Sequence, residues 1–280
     1  MLRLPSRAAC LAAMLLVGAV SMPAGAGQVL DRVLASKALT GAYSEGYPPV
    51  AFIDENNQLT GFDVEVGKEI AKRLGVELKP VTASWEMQVA GHWGDRLDIA
   101  VGSMTPTNER AQVLDFPGIY YYTPAAFAVH KDNTSIQKVE DLSGKTIGAC
   151  AACTSELYLQ GTLAFDAQGV PPFEFKVKPG KIVSYEGEGT AFDDLKLGDG
   201  VRLDAVLTNL PTLVEAIKKG EPFRIVEPPV FYEPLAVAVD KGDPEFTAKV
   251  AEIIQAMHAD GMLSALSNKW FGVDLTKAAN

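Results

Sequence analysis

The feature that most constrains this chain is a pair of extended apolar runs, each broken by proline. The first is Ile119-Tyr120-Tyr121-Tyr122-Thr123-Pro124-Ala125-Ala126-Phe127-Ala128-Val129; the second is Val230-Phe231-Tyr232-Glu233-Pro234-Leu235-Ala236-Val237-Ala238-Val239. Proline removes a ladder donor, so strands that carry it run along edges, bulges or crossings. Each run ends in a charged turn, His130-Lys131-Asp132-Asn133 and Asp240-Lys241-Gly242-Asp243. Two such crossings, roughly 110 residues apart, suit a pair of linkers joining one lobe to another.

Around these runs the chain alternates short apolar segments with helical patterns, the signature of parallel-sheet α/β architecture. Leu39 to Tyr43 reads as a first strand and Asn57-Gln58-Leu59-Thr60-Gly61 as a turn. In Glu65 to Leu74, Val66, Ile70 and Leu74 recur at helical spacing. Gly75 caps that helix, Val76 to Val81 is a second strand, Glu86 to His92 is amphipathic, and Arg96 to Val101 is a third strand ending in Gly102-Ser103. Between the crossings lie further strand signals at Lys145 to Ala149, Lys181 to Tyr185 and Val201 to Leu207; a helix is expected over Pro244 to Leu266. The reading is a discontinuous first lobe, residues 27–124 and 234–280, with a second lobe, residues 125–233, inserted into it.

The N-terminus carries Arg3 and Arg7, an apolar run from Ala8 to Val20, and the small residues Ala24-Gly25-Ala26. A basic region, a short apolar region and an A-x-A site make a secretory signal peptide over residues 1–26. The run is shorter than the ~20 residues a bilayer span needs, and Cys10 lies inside it rather than at its end, where lipid attachment would require it. Removing the peptide deletes two arginines and no acids, leaving 23 basic against 35 acidic residues. Such a surface repels nucleic acid. The expected product is a soluble periplasmic protein, monomeric, and the 48% hydrophobic content of the full 280-residue sequence excludes a disordered chain.

In an oxidising compartment, Cys150-Ala151-Ala152-Cys153 reads as a local disulfide. A redox-active pair at a helix start is the alternative, because Thr154-Ser155-Glu156 follows. His92, His130 and His258 are scattered without ligand spacing, and no phosphate-binding glycine loop occurs, so no metal or cofactor is expected.

Several motifs then stand together in order: Tyr47-Pro48-Pro49, Leu59-Thr60-Gly61-Phe62-Asp63-Val64, Gly102-Ser103-Met104-Thr105 with Asn108-Glu109-Arg110, Val139-Glu140-Asp141-Leu142-Ser143-Gly144-Lys145, and Asp260-Gly261-Met262 with Lys269-Trp270-Phe271. In order and spacing the chain resembles the extracellular solute-binding proteins of family 3, the polar amino acid type that serves ABC importers. The resemblance spans nearly the whole mature chain. It implies a two-lobe periplasmic-binding-protein fold, a flytrap that hinges shut on a small carboxylate ligand and delivers it to a permease at the inner membrane.

By position, the resemblance implies that Arg110 clamps the ligand carboxylate, as a planar guanidinium fork can; the competing reading is a solvated arginine. Ser103 and Thr105 offer donors from the first lobe. Thr154 and Ser155 place a helix N-terminus of the second lobe against the same carboxylate, or serve as plain capping residues. Tyr47 and Trp85 sandwich the ligand, or form rim core. Asn209 departs from the family pattern: it stands where an aspartate pairs with the ligand's α-ammonium. Either another acid such as Glu45 substitutes, or the ligand is not an ordinary α-amino acid. The proline-containing stretch Gly161 to Gly180 is longer than the pattern requires and is expected to reshape the cleft. Two other functions compete: a lyase of the cyclohexadienyl dehydratase kind on the same fold, marked by a cleft glutamate with a raised pKa, and a ligand-sensing module for a separate receptor.

Overall fold

The structure is a computed structural model and describes residues 27–165 and 170–278; the signal-peptide expectation for residues 1–26 lies outside them. The proline-broken runs form the two longest strands, β6 (Leu114–His130) and β10 (Phe223–Asp240), paired antiparallel over most of their length. Pro228 and Pro229 fall where the ladder is irregular, whereas Pro124 and Pro234 stand in register opposite Tyr232 and Tyr122. Register shifts between Val226 and Phe231, around Pro228 and Pro229, and again between Leu235 and Ala236, next to Pro234. At about 3.3 Å per residue, strands of this length reach through two lobes.

The remaining large strands are β1 (Ala38–Tyr43), β4 (Glu77–Thr82), β5 (Ile99–Met104), β7 (Thr146–Cys150), β8 (Lys181–Tyr185) and β9 (Ala205–Asn209). With β6 and β10 they form one eight-stranded sheet in the order β4-β1-β5-β10-β6-β9-β7-β8. β1 lies parallel to β4 and β5, and β7 parallel to β8 and β9, so each half of the sheet has its own parallel core and the antiparallel β6–β10 pair joins them. This is the two-lobe α/β fold expected from the sequence.

Helices cover both faces of each half. In the first lobe α2 (Phe62–Leu74), α7 (Pro244–Ala259) and α8 (Met262–Phe271) bury Phe62, Val66, Ile70, Val250 and Ile254 against Tyr120 and Leu235. Trp93, Leu97 and Met104 fill its other face. In the second lobe, Tyr158 of α4 (Thr154–Gln160) packs with Phe127, Ile147, Leu207 and Phe231, while α5 (Glu188–Leu195) and α6 (Leu210–Lys218) cover the opposite face through Leu195 and Leu213. Burial of each such side chain is worth roughly 1.5–3 kcal/mol, which makes the apolar stripes core rather than site.

Local differences from the sequence reading have local causes. Leu59–Thr60 is a short strand, β3, paired with β2 (Phe52–Ile53); the turn lies earlier, where the Asp54 carboxylate accepts from the Asn56 and Gln58 N–H groups. The strand expected from Arg96 begins at Ile99, because Gly94–Arg96 is a single 3-10 turn. The strand expected over Val201 to Leu207 is displaced to Ala205–Asn209. The final helix is two helices, broken at Asp260 and Gly261, whose φ of 79° is left-handed.

Candidate ligand-binding cleft

The two lobes meet across a cleft partly open to solvent. Every residue proposed from the sequence for ligand contact, Tyr47, Trp85, Ser103, Thr105, Arg110, Thr154, Ser155 and Asn209, lines it, and Glu45 does too. The stretch from Gly161 to Gly180 does not: among its described residues none lines the cleft, and Phe173 and Phe175 instead pack on Tyr158, away from it. Its described residues meet the first lobe beside the cleft, where the Ala164 carbonyl accepts from the Asn108 N–H at 3.4 Å, and its aromatic residues cover α4 through Tyr158.

Arg110 opens a one-turn 3-10 helix after β5, set there by its own N–H donating to the Thr107 hydroxyl at 3.2 Å. Its side chain is only 5% exposed, which removes the solvated reading. One guanidinium nitrogen donates to the Thr105 carbonyl at 2.9 Å and the other to the Ala152 carbonyl of the second lobe at 2.8 Å. The guanidinium also lies 4.9 Å from the centre of the Trp85 ring. Burial lowers its pKa to about 10, opposed by the charges of Glu233 and Glu109. It therefore stays a cation at neutral pH, and two of its five N–H donors are used internally, leaving donors for a ligand.

Trp85 is the first residue of α3 (Trp85–Ala90), a helix capped by the Ser84 side chain, and its indole N–H reaches the same Ala152 carbonyl at 3.3 Å. Gly102 flanks the ring for a steric reason: a Cβ there would stand 2.5 Å from Oε1 of Gln88. Across the cleft, Tyr47 accepts from the Asn209 amide, bridging the lobes on the other side of the pocket. Thr154 and Ser155 begin α4 behind Cys153, which caps the helix without a side-chain bond, so the first N–H groups are not capped by a side chain. The Cys150–Cys153 disulfide is formed and itself lines the cleft.

Ser103 has a more internal task than its position suggests. Its φ is 52°, its N–H donates to the Tyr120 hydroxyl at 2.9 Å, and its own hydroxyl donates to Asp63 at 2.8 Å and lies 2.6 Å from the Tyr121 hydroxyl. Tyr120 also donates to Asp63, at 2.6 Å. Asp63 is fully buried, and desolvation raises its pKa to about 8 against the pull of these donors. The network anchors the end of β5 beneath the cleft.

The sequence reading missed the acids that matter most here. Glu233, 2% exposed, accepts from the Thr105 and Thr154 hydroxyls at the cleft floor, one from each lobe. Glu188, at the start of α5, lines the cleft and accepts from Thr208 at 3.4 Å. Burial pushes both carboxyl groups above the ordinary range. Glu186 lines the pocket beside them, and Glu45 stands exposed at the rim. A lone acid inside the apolar, proline-broken run around Glu233 was a legible signal; nothing local distinguishes Glu188 from other surface glutamates. The cleft thus sets one buried arginine against four carboxyl groups, a field that favours a ligand with both an anionic and a cationic end.

Residues 39–273 match the family described as bacterial extracellular solute-binding proteins, family 3. The chain belongs to this family. The L-cystine-binding protein TcyJ of Escherichia coli (strain K12) is 30% identical over 268 residues, 95% of this chain and 94% of that protein. The L-arginine-binding protein of Pseudomonas aeruginosa is 29% identical over 254 residues, 88% of this chain and 92% of that protein. Among solved structures, the ancestral amino acid-binding protein AncCDT-1, a precursor of cyclohexadienyl dehydratase, superposes with a TM-score of 0.74 at 30% identity, covering 86% of this chain and 99% of that one. Among the described residues no helix is long and apolar enough to cross a membrane.

Proposed function

We propose that this chain is the periplasmic solute-binding component of an ABC importer, that it captures an amino acid in the inter-lobe cleft, and that it hands the ligand to a membrane permease. The observation that carries this reading is the buried Arg110 set opposite the start of α4, with Glu188 and Glu233 at the same cleft. A carboxylate fits the free guanidinium donors and the N-terminal N–H groups behind Cys153. An ammonium fits the acids, which replace the aspartate that Asn209 lacks. Tyr47 and Trp85 close over the ligand from the first lobe, Thr105 and Ser103 floor it, and Asn209 orients Tyr47. The relatives named for cystine and arginine support an amino acid ligand, and each of those molecules carries a second cationic group besides one α-ammonium.

The proposed lobes are residues 27–124 with 234–280, and 125–233, hinged where β6 and β10 cross; residues 1–26 are the export signal and the mature chain acts as a monomer. The test is to release and identify by mass spectrometry the small molecule that co-purifies with the mature protein, and to titrate a panel of amino acids by calorimetry. Saturable binding of an amino acid supports the reading; absence of binding across the panel overturns it. A lyase reading keeps one specific observation, the burial-raised pKa of Glu188 and Glu233, since such a shift moves a cleft carboxyl group toward the range a general acid needs. Turnover of prephenate or arogenate by the purified protein would replace transport by catalysis.

A further inference from the structure

The disulfide is not merely near the cleft. The carbonyl of Ala152, inside the Cys150–Cys153 ring, accepts from Arg110 at 2.8 Å and from the Trp85 indole at 3.3 Å, and both donors belong to the opposite lobe. Ala152 adopts a φ of 58°, a left-handed conformation that a residue with a Cβ avoids. Such a conformation persists only where its surroundings over-determine it. Here the ring is closed by the disulfide and by Cys153 N–H donating to the Cys150 carbonyl at 3.3 Å. The Ala151 N–H is held by the Tyr185 carbonyl at 2.8 Å, and the Ala152 N–H by the Glu156 carboxylate at 2.7 Å. With the amide of Ala152 tied back into its own lobe, its carbonyl is the group left to face Arg110.

We propose that the Cys150–Cys153 disulfide is a positioning element for cleft closure: it holds Ala152 left-handed, presents its carbonyl to Arg110 and Trp85, and so sets the affinity of ligand capture. The inference rests on the amino acid-binding reading for its ligand and on this geometry for its mechanism. Arg110 then serves the ligand and the latch together, since different N–H groups of one guanidinium meet each. Opening the ring frees Ala152 to leave the left-handed region, the carbonyl turns away, and closure loses two hydrogen bonds, one of them from a cation. Losing both is expected to weaken binding by about tenfold.

The experiment compares oxidised wild type, C150S/C153S, A152G, and C150S/A152G/C153S, each titrated with L-arginine and with L-cystine by calorimetry. Glycine takes the left-handed conformation without steric cost, so A152G added to the serine background should restore affinity at least about threefold over C150S/C153S, with A152G in the oxidised protein as the reference. That rescue separates positioning from general loss of stability, which a glycine would not repair. Unchanged affinity in C150S/C153S, or no rescue by A152G, overturns the proposal. Should the serine variant fail to fold by circular dichroism, wild type reduced with dithiothreitol takes its place with L-arginine; dithiothreitol supplies two electrons and two protons to the cysteines and leaves as its cyclic disulfide. Should neither amino acid bind oxidised wild type, neither is the ligand, which leaves the latch untouched, and the latch is read by small-angle X-ray scattering. The ring-opened protein must then show the larger radius of gyration, and equal radii overturn the latch.

Discussion

Replacing Arg110 by alanine should separate binding from stability. In the cleft the side chain offers charge-assisted hydrogen bonds to a ligand carboxylate, worth roughly 1.5–3 kcal/mol each. A bidentate pair therefore supplies at least about 3 kcal/mol, and its loss weakens binding by a factor of about 100 or more. For the unliganded protein the balance differs. Arg110 is 5% exposed, and its pKa falls from 12.5 to about 10 because burial disfavours the charge. That fall corresponds to roughly 3 kcal/mol of cost for keeping the cation there. Against it stand the bonds to the Thr105 and Ala152 carbonyls and the contact with Trp85, together of similar size. The two nearly cancel, so Arg110→Ala should leave the unliganded melting temperature within about 4 °C, the shift that 1 kcal/mol produces in a protein of this size. Calorimetric titration and differential scanning calorimetry on the same sample decide the matter. Affinity retained within about threefold would remove Arg110 from the ligand site, and a collapse of the melting temperature would show that it is structural.

Glu188→Gln should lower affinity for the cognate amino acid about tenfold, and because the raised pKa of Glu188 means that it protonates above the usual carboxylate range, wild-type affinity should already fall as pH drops toward that range while the variant's curve is flatter; superimposable curves would exclude Glu188 as the ammonium partner. Asn209→Asp keeps a bond to Tyr47 with donor and acceptor exchanged, and since Glu188 and Glu233 already supply negative charge, affinity should change by less than about threefold; a gain above tenfold would show that those acids do not meet the ligand. Asp63 has a folded pKa of about 8 against 3.8 for the free side chain, so its contribution to stability is complete below pH 4 and is lost as pH rises toward 8, with a slope of up to about 1.4 kcal/mol per pH unit. Denaturant titrations of wild type and Asp63→Asn across that window should differ in slope, and parallel curves would contradict a protonated Asp63 at neutral pH.

What the sequence determined by itself was the architecture. Alternating apolar runs and helical stripes are local patterns, set by backbone periodicity, and they placed β1, α2, β8 and both crossings before any coordinates. Motif order also pointed to Tyr47, Trp85, Ser103, Thr105 and Arg110, which line the cleft from the loop after β1, the start of α3, and the end of β5 with the turn that follows it. The charge balance of the cleft was decided only by tertiary structure. Glu233 reaches the floor because β10 crosses between lobes, and Glu188 because α5 starts beside β9; both depend on contacts between residues far apart in the chain. The same holds for Ala152, an unremarked residue between two cysteines whose carbonyl matters only once the lobes meet. Local periodicity reports which face of an element is apolar, but where a polar group on that element ends up, and what it meets, is fixed by packing across the whole sheet.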